Sequence, residues 1–80
     1  MSRTIAIETA IARIMKLRRQ MTHHELVDNV ITDLTKILPS FGYNSHLQNV
    51  KTVKEGIERL IDREYIERDE HQSDLLRYLS

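Results

Sequence analysis

The sequence predicts an α+β fold in which a three-helix bundle is closed by a C-terminal β-hairpin. Three observations predict it. Apolar residues recur at helical spacing in three segments, capping or proline signals separate these segments, and the tail changes to short strand-like runs. This order of elements is typical of a winged helix, with the hairpin as the wing. The 80 residues are enough for one small domain, so we expect a single domain over 1–80.

The first helix is predicted over about 4–19, where no glycine or proline interrupts the pattern. Its apolar stripe consists of Ile7, Ala10, Ile11, Ile14, Leu17 and Met21. Ile14 lies at the centre of this stripe. Lys16 lies about 200° round the helix from it, near the middle of the face expected to be exposed. Ala12, one turn earlier, is small, so the surface beside Lys16 should be low.

The second helix is predicted over about 23–37. Thr22 followed three residues later by Glu25 is a capping-box pattern, which places the start of the helix after Thr22. Pro39 ends it, because the residue before a proline disfavours helical geometry. The apolar stripe is Leu26, Val30, Leu34 and Ile37, flanked by Val27 and Ile31.

Residues 39–48 are predicted to form a loop, and we expect Phe41 and Tyr43 to pin it to the core. The third helix follows over about 50–63. Its apolar face is Val50, Val53, Ile57, Leu60 and Ile61. Gly56 falls inside this helix, where glycine is unfavourable, and a close approach to another helix would explain it. The tail, about 65–79, is predicted to form the wing from two runs at about 65–68 and 75–79.

Composition excludes several classes of function. Twelve Lys and Arg residues balance twelve Asp and Glu residues, and the chain has no cysteine, so thiolate metal sites and disulfides are excluded. No apolar run approaches a membrane span, and we expect no membrane association. His23 and His24 are adjacent, and the HExxH zinc signature needs histidines four residues apart, so we expect no metal site. With no nucleophile, base or phosphate-loop pattern, we expect neither a catalytic residue nor a cofactor.

Nucleic-acid binding remains an alternative, since many winged helices bind DNA through their third helix. Together with Glu64, which follows it, that helix carries four basic and four acidic residues. The pairs Lys51–Glu55, Lys54–Glu58 and Glu55–Arg59 are spaced to form along its surface. The wing is mostly acidic, with Glu67, Asp69, Glu70 and Asp74. Because carboxylates repel phosphates, nucleic acid is the less favoured partner.

The run "ARIMKLRRQ" gathers Lys16 and three arginines, for which three interpretations stay open from the residues alone. It could be an ordinary solvated helix face near a C-terminus, where cations suit the helix dipole. Alternatively, Lys16 is presented as an acceptor amine. A module that only binds partners, without modification, is a third possibility.

"TAIARIMKLRRQMTHHELVDNVI" resembles the C-terminal winged-helix region of cullins, the scaffolds of multisubunit RING ubiquitin ligases. The shared hallmark is an Ala-Ile-x-Arg-Ile-Met-Lys run followed by basic residues and a His-x-x-Leu stretch. A second block, "IERLIDREYIERDE", resembles the family's Ile-x-x-Leu-Ile-x-x-Glu-Tyr-Leu-x-Arg segment, and "RYLS" resembles its Tyr-Leu-Ala ending. Together the two blocks extend the resemblance over nearly the whole chain.

The resemblance implies that Lys16 accepts a ubiquitin-like protein through an isopeptide bond (neddylation), which activates the ligase. It also implies a non-catalytic scaffold that works in the cytoplasm and nucleus. The implied partners are a RING subunit, the conjugating enzyme for the modifier, the modifier itself, a signalosome peptidase and a cullin exchange factor. Candidate partner contacts around the lysine are Ala12, Arg13, Met15, Arg18 and Arg19.

Overall fold

A computed structural model describes residues 2–79; Met1 and Ser80 lie outside the described residues. Its elements in chain order are α1 (Arg3–Arg18), β1 (Gln20–Thr22), α2 (His23–Ile37), a 3₁₀ helix (Pro39–Tyr43), α3 (His46–Asp62), β2 (Ile66–Arg68) and β3 (Leu75–Tyr78). The predicted α+β winged helix is confirmed, with three helices and a small antiparallel sheet. No helix within residues 2–79 is both long and apolar enough to cross a membrane.

The sheet contains one strand more than the predicted hairpin. Its order is β1-β3-β2, so the last strand of the chain lies in the centre and both its neighbours are antiparallel to it. Met21 pairs with Leu76 across β1 and β3, and both side chains are buried. The three residues of β1 are too few to show an alternating pattern, which is why the sequence did not predict this strand.

The start of α2 is set by local capping. The Thr22 hydroxyl accepts from the Glu25 backbone N–H at 3.2 Å, and the Glu25 carboxylate accepts from the Thr22 N–H at 3.2 Å. The predicted capping box is therefore present. Only Arg19 separates α1 from β1, so the first helix leads almost directly into the sheet.

Helix α3 begins at His46, four residues before the predicted start. Ser45 caps it by accepting from the Gln48 N–H at 3.1 Å, so the end of the predicted loop is the first helical turn. The expectation for the loop aromatics is half right. Phe41 is buried, whereas Tyr43 is 89% exposed.

One core joins the three helices and the sheet. Its buried side chains are Ala6, Ile7, Ala10, Ile11, Met15, Met21, Leu26, Val27, Val30, Leu34, Phe41, Val53, Ile57, Leu60, Ile66 and Leu76. Gly56 lets α3 approach α1 closely, because a Cβ at this position would lie 2.9 Å from Ile7 Cγ2 and 3.1 Å from Ile11 Cδ1. The predicted reason for a mid-helix glycine is thus confirmed.

One predicted core residue of α1 lies outside the core: Leu17 is 82% exposed. Ile14 is partly buried and packs against the core, while Met15, which was not predicted in the stripe, is completely buried. The sheet residues Met21 and Leu76 belong to the same core cluster as Met15, and α1 contacts both β1 and β3. The sheet therefore covers the Met15 side at the end of α1, which a helical projection of α1 alone does not include.

Candidate functional site

Lys16 lies on the last turn of α1, and its side chain is exposed. A cation suits this position because the C-terminus of a helix carries partial negative charge. The amine is not bound in an ion pair: no carboxylate oxygen of residues 2–79 lies within 4.0 Å of it. Lys16 therefore presents a primary amine to solvent at the end of a rigid element.

The three arginines around Lys16, by contrast, each have a neighbour. Arg13 forms an ion pair with Asp33 of α2, and the Arg18 guanidinium lies 4.0 Å from the Glu25 carboxylate. The Arg19 guanidinium lies over the ring of Tyr78, 5.4 Å from its centroid, a cation–π distance. Of the four basic residues, only the lysine is left without such a contact among residues 2–79.

Arg19 ends α1 in an unusual backbone conformation. Its φ is 73°, in the left-handed region that residues other than glycine and asparagine rarely adopt. The Arg19 N–H donates to the Met15 carbonyl at 2.7 Å, and its own carbonyl accepts from the Tyr78 N–H at 2.8 Å. The chain therefore turns sharply out of the helix, three residues after Lys16, and enters the sheet.

One of the candidate contacts, Met15, differs from what the sequence predicts. Met15 is fully buried, so it belongs to the core and offers no surface to a partner; this corrects its selection as a contact residue. Ala12 is partly buried and lines an open depression beside Thr9 and Tyr65. The low surface expected one turn before Lys16 is therefore present, and Arg13, Arg18 and Arg19 are exposed around that end of α1.

The histidines form no metal centre: within residues 2–79, no group of histidine and carboxylate side chains could hold an ion. His24 lies 3.2 Å from Asp28 on the surface of α2. Partial burial lowers the pKa of His23, and the positive charges of Lys54 and Arg68 lower it further. His23 therefore favours its neutral form in the folded domain.

The charges of α3 are arranged differently from the predicted ladder. Arg59 and Arg63 both reach across to Glu8 of α1, and the Arg63–Glu8 distance is 2.9 Å. Glu58 pairs with Arg68 of the wing. None of the three predicted pairs along α3 lies within 4.0 Å in the described part of the chain. Because Arg59 and Arg63, at the C-terminal end of α3, are both held by Glu8, this helix is poorly equipped to bind phosphates.

Sequence reasoning did not identify Tyr78 as a neighbour of the lysine region. The two positions are more than fifty residues apart, and only the pairing of β1 with β3 brings them together. A resemblance at "RYLS" was the one signal that pointed to this end of the chain.

Comparison with known proteins identifies relatives that share this architecture. The family model described as the cullin protein neddylation domain matches residues 2–72. Cullin-3B of Arabidopsis thaliana is 42% identical over 74 residues, covering 92% of this chain and 9% of that protein. Cullin-3 of Caenorhabditis elegans is 37% identical over 79 residues, covering 98% of this chain and 9% of that protein. The chain thus spans about a tenth of the length of these relatives.

A solved structure shares the fold. It is Dcn1(P)–Cdc53(WHB), from work on a dual E3 mechanism for Rub1 ligation to Cdc53, and it matches with a TM-score of 0.80 at 31% identity. The match covers 98% of this chain and 80% of the other chain. Fold and sequence therefore agree on the same set of relatives.

Proposed function

This chain belongs to the cullin neddylation-domain family, and on that premise we propose that Lys16 is its acceptor for a ubiquitin-like modifier. The observation that carries the proposal is the free, exposed amine on the last turn of α1, within the Ala-Ile-x-Arg-Ile-Met-Lys run. The neighbouring arginines each lie beside Asp33, Glu25 or Tyr78, whereas Lys16 has no such neighbour among residues 2–79 and carries the one amine of this run.

The proposed reaction is an acyl transfer to the Lys16 amine. The ammonium first gives up a proton to solvent, and the neutral nitrogen attacks the carbonyl carbon of a thioester between the modifier and its conjugating enzyme. A C–N bond forms and the C–S bond breaks, so the enzyme's sulfur leaves as a thiolate. The attacking nitrogen gives up its second proton to solvent or to the departing thiolate, which leaves a neutral isopeptide bond. This domain contributes the nucleophile and its presentation, so its role is that of a substrate and scaffold.

Attachment would activate the ligase by shifting a conformational equilibrium. A bulky protein bonded to the last turn of α1 fits only those arrangements of the neighbouring domains that leave space around Lys16. The partners that this mechanism requires are a RING subunit and the conjugating enzyme. A signalosome peptidase removes the modifier, and an exchange factor binds the unmodified form. The Dcn1–Cdc53 structure supports a Dcn1-like factor in the conjugation step. The modification of Lys16 would take place in the cytoplasm and nucleus.

Conjugation in a reconstituted system tests the assignment. The full-length cullin that carries this domain is compared with its Lys16→Arg variant, which keeps the charge and removes the acceptor amine. Lys36→Arg is the matched control, because Lys36 is also an exposed lysine on the last turn of a helix. We expect Lys16→Arg to abolish modification and Lys36→Arg to leave it unchanged. Undiminished modification of the Lys16→Arg protein would refute the assignment.

A further inference from the structure

We propose that Tyr78 is a positioning residue for the acceptor lysine: it anchors Arg19 and thereby keeps the last turn of α1 ordered. This inference rests on the proposed function of Lys16 and adds to it the part played by the final strand. Tyr78 acts through Arg19 and does not touch the amine itself.

The C-terminal end of α1 is closed by Arg19, the residue after the helix. The last carbonyl groups of a helix have no helical partner, so this end frays unless the following residues are fixed. In α1 the Arg19 N–H donates to the Met15 carbonyl at 2.7 Å. That bond closes the turn on which Lys16 lies, and its donor belongs to the residue whose φ is 73°. An arginine holds this conformation only where its surroundings impose it.

Tyr78 makes two contacts that hold Arg19 in this conformation. Its backbone N–H donates to the Arg19 carbonyl at 2.8 Å, and its ring lies beneath the Arg19 guanidinium at 5.4 Å. Both the main chain and the side chain of Arg19 are therefore held by one residue. Strand pairing continues from this point, with Gln20 opposite Arg77.

Tyr78 is itself fixed by the sheet and the core. It lies in β3, the central strand, opposite Ile66 of β2, and its side chain packs against the hydrophobic core. The path of contacts thus runs from the core through Tyr78 to Arg19 and then to the turn that carries Lys16. Since acyl transfer depends on the orientation of the attacking amine, loosening this turn should slow the chemical step more than binding.

The test compares Tyr78→Leu with Tyr78→Phe in the full-length cullin. Leucine removes the ring, whereas phenylalanine keeps it and loses only the hydroxyl. We measure the rate of transfer from thioester-charged conjugating enzyme over a range of cullin concentrations, together with amide hydrogen exchange of residues 16–19. We expect Tyr78→Leu to lower the maximal rate by about three- to tenfold with an unchanged half-saturating concentration. Amides 16–19 should exchange faster in this variant, and core amides of α1 should not.

Tyr78→Phe should stay within about twofold of the wild-type rate, because the ring face that meets Arg19 is retained. Equal rates for the leucine and wild-type proteins, or a change confined to the half-saturating concentration, would overturn the positioning role. Should Tyr78→Leu fail to fold, Arg19→Gly carries the test. Glycine accepts the left-handed backbone but lacks the guanidinium, so the domain stays folded and the maximal rate should fall. An unchanged rate for Arg19→Gly would overturn the proposal.

Lys16→Arg in the same assay separates the two proposals. If its modification persists, the acceptor lies elsewhere and both proposals fail. If modification is lost while the Tyr78 variants react at the wild-type rate, only the positioning role is refuted.

Discussion

Replacing Gly56 with alanine tests the close packing of α3 against α1. Two effects oppose each other. Alanine in a helix interior is favoured over glycine by about 1 kcal/mol. Against this, the new Cβ would lie 2.9 Å from Ile7 Cγ2 and 3.1 Å from Ile11 Cδ1, both closer than carbon atoms normally approach.

The packing term should win. Ile7 and Ile11 are fully buried, and Ile7 Cγ2 is attached directly to a β-branched carbon whose χ1 is stiff, so the side chain cannot rotate away at low cost. Overpacking of this kind costs about 1–3 kcal/mol, which exceeds the gain in helix propensity over most of its range. The difference between the two effects predicts that Gly56→Ala lowers the free energy of unfolding by up to about 2 kcal/mol. At about 4–8 °C per kcal/mol for a domain this small, Tm should fall by up to roughly 15 °C.

Urea unfolding followed by circular dichroism measures this change, with an unchanged m-value as the sign that only stability was altered. Gly42→Ala is the matched control. Its Cβ would lie 3.4 Å from Thr35 Cγ2, an ordinary contact, so stability should stay the same or rise slightly. In an Ile7→Leu background, which removes the crowding methyl at Cβ, Gly56→Ala should cost less. A Gly56→Ala protein more stable than wild type would refute the packing argument.

Three further predictions concern charges and caps. The Glu8 side chain is only 14% exposed and pairs with Arg59 and Arg63. Glu8→Gln weakens both pairs and should lower the free energy of unfolding by about 1–3 kcal/mol in urea melts. Thr22→Ala should lower it by about 1 kcal/mol through loss of the cap, and Thr22→Ser should restore most of this; equal stability of alanine and serine would contradict the capping role. Because the folded-state pKa of His23 lies below its usual 6.5, the unfolded chain binds more protons as pH falls below that value. Stability should therefore decrease with falling pH from about 6.5 downward, and His23→Gln should flatten this dependence in urea melts compared at several pH values.

The local features of this fold could be predicted from the sequence because their causes are local. The Thr22–Glu25 capping box fixes the start of α2, and the 3.6-residue period identifies the three helices. Gly56 pointed to a close helix contact since an unfavourable residue inside a helix needs a reason. Lys16 was predicted as the acceptor through a resemblance carried by consecutive residues, which needs no tertiary structure.

What the tertiary structure alone decided involves residues far apart in the chain. Periodicity placed Ile14 at the centre of the buried stripe, but the sheet covers the Met15 side, and Leu17 is left exposed. Strand β1 exists because β3 lies beside it, since three residues hold no pattern of their own. The partners of the arginines around Lys16 likewise come from other elements, and only folding brings them within reach. The sequence by itself therefore determined the motif that makes Lys16 the proposed acceptor, whereas the packing of distant segments determined how the last turn of α1 is fixed and what surrounds that lysine.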